Sequence, residues 1–96
     1  MSNELNEEVL SDVLAALLAA FVQRLGVDKN NVNFDDEVKK LAKEDENLFS
    51  RALMDIHELL ELELDYMPLT EFEKFSTVSD VAEYFYVELA TKRGIL

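Results

Sequence analysis

The chain has 96 residues, 49% of them hydrophobic, which is enough for one hydrophobic core but not for two. Its 21 acidic and 9 basic residues give a formal net charge of -12, which repels nucleic-acid phosphates and anionic lipid headgroups. The chain has no cysteine, so disulfides, thiol nucleophiles and cysteine-ligated metals are excluded. Two glycines and one proline leave little room for loops. We therefore predict a single all-α domain over residues 1–96.

The N-terminal segment lacks the positively charged region of a secretion signal, because its charged residues are Glu4, Glu7 and Glu8. The apolar run from Val13 to Val22 is about half of the roughly 20 residues that a bilayer span requires. We expect a soluble, cytoplasmic protein with no membrane span.

The first predicted helix runs from about Leu5 to Leu25. Its apolar residues recur at steps of three and four, which is typical of a helix that faces a core. They are Val9, Leu10, Val13, Leu14, Leu17, Leu18, Phe21, Val22 and Leu25. Gly26 is expected to end this helix.

The segment from Val27 to Asp36 is rich in asparagine and has no sustained period, so we predict a loop. Within it Val27, Val32 and Phe34 are expected to pack under the bundle. A short helix is predicted from Asp35 to Leu41.

A second long helix is predicted from about Asn47 to Leu64. Its apolar stripe consists of Leu53, Ile56, Leu60 and Leu64, and much of the remaining surface is acidic. Pro68 ends the segment, since proline disfavours helix for the residue before it.

A short turn or a helix of one to two turns is predicted around Leu69 to Lys74, and a last long helix follows it. Ser76 and Thr77 offer N-cap oxygens, and Asp80 stands three residues after Thr77, as in a capping box. The apolar stripe of this helix, expected to reach Thr91, contains Val78, Val81, Phe85 and Leu89.

Three pieces of the chain resemble the acyl carrier protein family in order and approximate spacing. They are Leu25-Gly26-Val27 with Val32, then Glu44-Asp45 with Ser50 five residues after Asp45, and then Met67-Pro68 through Glu73–Val78 to Asp80–Phe85. The resemblance covers roughly Val9 to Leu89. It implies a small bundle of three main helices plus one or two short ones.

The resemblance also implies a cofactor. Ser50 matches the serine whose hydroxyl carries 4'-phosphopantetheine in the family, at the start of the acidic helix. The family's Asp-Ser-Leu signature is here Phe49-Ser50-Arg51, so both flanking residues differ. An alignment shifted by one residue places Phe49 at the attachment position.

Partner binding is predicted on the acidic helix. Carboxylates of Asp55, Glu58 and Glu61 would attract lysine and arginine patches on acyl-handling enzymes, which speeds encounter more than it adds affinity. Phe49 and Arg51 are predicted to contact the partner as well, because a large apolar residue beside an exposed serine is hard to bury.

No catalytic or metal site is predicted. His57 and Glu61 are one helical turn apart, but metal sites normally need at least three protein ligands. We expect His57 to be a surface or boundary residue. No nucleophile pocket or phosphate-binding glycine loop is evident, so enzyme activity is not expected.

Three functions remain open at this point. The first is a non-catalytic, monomeric carrier of an acyl or related thioester on a phosphopantetheine arm at Ser50. The second is a carrier-like interaction module that has lost the arm. The third is an acidic inhibitor that imitates the phosphates of DNA, whose affinity would fall steeply with salt.

Overall fold

The structure is a computed structural model that describes residues 5–62 and 71–95. Its helices are α1 (Glu7–Leu25), α2 (Val38–Leu41), α3 (Glu46–Leu59), α4 (Glu71–Lys74) and α5 (Val78–Lys92), with one 3-10 turn at Lys29–Asn31. The described residues contain no strand, only an isolated bridge between Glu37 and Thr77. The predicted all-α bundle of three main helices and short connecting helices is confirmed.

α1 is the central long helix and packs against both α3 and α5. It begins after Asn6, whose side-chain oxygen accepts a hydrogen bond from the Val9 amide at 3.0 Å. It ends at Gly26, which adopts a left-handed φ of 70° as expected of a stop residue. Over residues 5–62 and 71–95, no helix combines the length and the apolar composition needed to cross a bilayer.

The connection from α1 to α2 is fixed by backbone hydrogen bonds to the start of α5. The carbonyl of Asp36 accepts from the Val78 amide, and the Val38 amide donates to the Ser76 carbonyl, each at 3.0 Å. This pairing keeps residues 35–37 extended or turned, so α2 begins three residues later than predicted.

The prediction that Phe34 packs under the bundle is wrong, because its side chain is 53% exposed. Val27 and Val32 do pack against the core as partly buried residues. The carbonyl of Phe34 accepts from the Ser79 amide at 2.9 Å, and this bond fixes the backbone where the ring projects to solvent.

α3 ends five residues earlier than predicted. The Glu61 amide bonds to the Glu58 carbonyl and the Leu62 amide to the His57 carbonyl, a Schellman ending with Glu61 at a left-handed φ of 56°. α2 ends in the same pattern with Lys43 at φ 54°, and α5 does so with Gly94 at φ 75°. Leu64, Pro68 and the predicted turn around them lie outside the described residues.

α5 starts with the predicted capping box. The Asp80 amide donates to the Thr77 hydroxyl at 3.3 Å, and one Asp80 carboxylate oxygen accepts from the amides of Thr77 and Ser76 at 3.1 and 3.0 Å. These backbone donors lower the pKa of Asp80 below its ordinary value.

Asp80→Ala should lower the free energy of unfolding by about 1 kcal/mol near pH 7. Because the folded-state pKa is lowered, the stabilisation by Asp80 is complete above the ordinary Asp pKa and is lost as the pH falls through the lowered value. Urea denaturation of both proteins over a pH series should therefore show the difference shrinking in acid. Glu88→Ala, an exposed control on the same helix, should show no such convergence. A difference that stays constant with pH would contradict this account.

The core lies where α1, α3 and α5 meet. Its largest fully buried side chains are Phe21, Phe49, Phe85, Leu17, Leu53, Ile56, Val9, Val13, Val38 and Val81. These residues come from every long helix and from α2, so the fold depends on all of them together.

Candidate functional site

The residues predicted to bind a cofactor or partner lie on α3 or just after it, and the structure separates them by burial. Phe49 is fully buried at 0% exposure, and its ring meets those of Phe21 and Phe75 edge to face at 6.3 Å each. The prediction that Phe49 contacts a partner is therefore corrected. Phe49 lies four residues before Leu53, so it belongs to the core-facing stripe of α3 one turn earlier. This spacing in the sequence predicts that Phe49 is buried.

Ser50 is the fifth residue of α3 and is partly buried. The helix begins at Glu46 after the cap residue Asp45, whose carboxylate accepts from the Leu48 amide at 3.1 Å. The Ser50 hydroxyl therefore belongs to the second turn of the helix and not to its N-terminus.

One row of α3 faces solvent. Asn47, Arg51, Met54 and Glu58 are all exposed and follow one another at steps of four, three and four, the spacing of a single helix face. We call these four residues the α3 face. Met54 is its apolar member and is 43% exposed.

Asp55 is half-buried beside the α3 face and is engaged within the protein. Its carboxylate accepts from Arg24 Nε at 2.6 Å and Nη2 at 3.2 Å, which joins the end of α1 to α3. The side-chain hydrogen bond and the charge of Asp55 raise the pKa of Arg24. The Asp55 carboxylate, predicted to bind a partner, therefore also forms an ion pair within the protein, with Arg24.

Glu61 is exposed but lies beyond the end of α3. Its carbonyl accepts from Lys92 Nζ, so this residue links the end of α3 to the end of α5. The left-handed backbone at Glu61 removes it from the helical row formed by the α3 face.

His57 is buried at 3% exposure, which corrects its prediction as a surface or boundary residue. Its Nδ1 lies 2.9 Å from the Leu53 carbonyl and so donates to it, and its ring packs on Phe85 at 4.8 Å. The part of the chain that the structure describes holds no group of three or more His, Cys, Asp or Glu residues placed to bind a metal.

A cavity of about 330 Å³ adjoins the α3 face. Met54, Asp55, His57, Glu58 and Leu62 line it. Met54 and Leu62 give this cavity an apolar surface, and the carboxylates of Asp55 and Glu58 lie beside it.

Comparison of the chain with known protein families, curated proteins and solved structures found no match. Membership of the acyl carrier protein family therefore stays a prediction from the sequence.

Proposed function

We propose that this protein is a non-catalytic, carrier-like interaction module that binds a partner protein through the α3 face. The observation that carries the proposal is Met54, a large apolar side chain 43% exposed at the centre of an otherwise polar row. Methionine adapts to irregular surfaces, which suits it to a contact that forms and dissociates.

The charges around Met54 define the partner. Glu58 follows it by one turn and Arg51 precedes it by three residues, both exposed. The net charge of -12 favours encounter with a basic surface. The partner therefore presents lysine or arginine opposite Glu58, an acceptor opposite Arg51 and an apolar recess for Met54. The cytoplasmic location and monomeric state expected from the sequence are part of this proposal.

Glu58→Lys should abolish or strongly weaken partner capture, because it replaces attraction by like-charge repulsion beside Met54 on the α3 face. The matched control is Glu88→Lys, the same charge change at an exposed position on α5. The measurement is affinity capture from cells that make the protein, with the captured proteins quantified by mass spectrometry. Partners lost with Glu58→Lys but retained with Glu88→Lys would support the α3 face. Equal losses with both variants would show that net charge alone drives capture.

A second candidate function is the thioester carrier itself, with 4'-phosphopantetheine on Ser50. The observation that favours it is the position of Ser50, which is only partly buried and directly precedes Arg51 of the α3 face. An arm attached there would emerge beside the docking surface for acyl-handling enzymes. Enzymatic attachment followed by intact-mass measurement distinguishes the two functions.

A further inference from the structure

An apolar groove lies between the start of α1, the loop before α2 and the first half of α5. Its volume is about 370 Å³, and its apolar walls come from Leu5, Leu10, Phe34, Ala82 and Tyr86. Leu5 is 59% exposed and Phe34 53% exposed. None of its lining residues belongs to the α3 face.

The aromatic wall of the groove is held in place by the backbone. Phe34 accepts a hydrogen bond from the Ser79 amide at 2.9 Å, and the Asn33 amide next to it donates to the Asp36 carboxylate at 2.7 Å. On the other side, the Tyr86 hydroxyl accepts from the Asn6 amide at 2.8 Å. An exposed aromatic residue on a fixed backbone has less conformational freedom to lose when it is covered than one on a mobile loop, which suits Phe34 to be a binding anchor.

The charge at the groove selects what can enter it. Glu83 is the charged residue of the described lining, and exposed Asp35 adjoins Phe34 in the sequence. Glu7 is exposed one turn before Leu10 on α1. A fatty-acid carboxylate or a nucleotide phosphate would be repelled by these groups. The complementary occupant is apolar and positively charged.

We propose that this groove binds a cationic amphipathic helix of a partner protein. A large apolar side chain of that helix would cover Phe34 and Leu5, while a lysine or arginine would face Glu83. Helix-in-groove recognition of this kind uses apolar anchors at helical spacing. The groove is a docking surface additional to the α3 face, and it does not depend on the function proposed for that face.

A synthetic peptide of leucine and lysine with helical periodicity is the probe, and a peptide of the same composition in scrambled order is its control. Titration calorimetry should show that Phe34→Ala weakens binding about tenfold or more, as expected for loss of an aromatic anchor. Glu83→Gln should weaken binding a few-fold at low salt and less at high salt. The control variant Val87→Ala, exposed elsewhere on α5, should bind as the wild type does.

The site of binding can be checked independently by amide chemical shifts, which should change at Ser79, Ala82 and Tyr86. Equal affinity of Phe34→Ala and Val87→Ala would overturn the proposal, because it would leave only attraction by net charge. Equal binding of the scrambled peptide would do the same. Weakening by Met54→Ala in place of Phe34→Ala would assign the peptide to the α3 face and also reject the groove.

Discussion

Phe49→Ala should lower the free energy of unfolding by about 3–5 kcal/mol. The Phe49 ring is fully buried between Phe21 and Phe75, so its deletion removes buried apolar surface and leaves a cavity among rigid neighbours. Phe34→Ala is the matched control, because it deletes the same side chain at a position that is 53% exposed. It should lower stability by clearly less, because about half of the residue is already exposed to solvent. Urea denaturation followed by circular dichroism measures both, and equal effects would contradict the assignment of Phe49 to the core.

The size of this effect bears on how partner binding is mapped. Domains of this size are stable by only about 5–15 kcal/mol, so Phe49→Ala would remove a large part of the total. A loss of binding in that variant would report unfolding and not a lost contact. Met54→Ala and Glu58→Lys change exposed side chains and avoid this ambiguity.

Incubation with coenzyme A and a broad-specificity phosphopantetheinyl transferase should leave the intact mass of the protein unchanged. Ser50 lies in the second turn of α3, between buried Phe49 and exposed Arg51, and the Asp45 cap holds the first turn closed. Presenting the Ser50 hydroxyl at a helix end would require that turn to unwind. Unwinding it would also break the hydrogen bond from the Leu48 amide to Asp45.

A reference carrier protein modified in the same tube establishes that the transferase is active, and Ser50→Ala supplies the negative control. A mass increase equal to one phosphopantetheine group that is absent from Ser50→Ala would contradict the expectation. That result would make the thioester carrier the leading function.

The sequence predicted α1 and α5 well because their ends carry explicit signals. Gly26 marks the end of α1, and the Thr77 and Asp80 pair marks the start of α5. The predicted end of α3 is too late because the apolar period continues past the true end and because Glu61, not glycine, adopts the left-handed conformation. When a residue other than glycine adopts a positive φ at a helix end, the sequence contains no residue type that marks the end.

The candidate site was harder to predict than the fold. The resemblance to acyl carrier proteins implies a role for Ser50 and an exposed Phe49 beside it. The helical period alone predicts that Phe49 faces the core together with Leu53 and Ile56, as the structure has it. The polarity of His57 predicts a surface or boundary position, yet its hydrogen bond to the Leu53 carbonyl and its packing on Phe85 allow it to be buried. Exposure of Met54 follows from the period of α3. The apolar groove beside Phe34 depends on hydrogen bonds between distant parts of the chain, which no local sequence pattern predicts.

The left-handed residues Lys43 and Glu61 at two helix ends are positions where the stability of the protein can be increased. L-residues with side chains pay roughly 1–2 kcal/mol for a left-handed backbone, and neighbouring Glu44 also has a positive φ of 63°. Asparagine tolerates this conformation and occurs naturally at such ends, without the added unfolded-state freedom of glycine. Substitution of Lys43 and Glu61 by asparagine can therefore raise thermal stability for structural work, and it leaves the core, the α3 face and the apolar groove beside Phe34 unaltered.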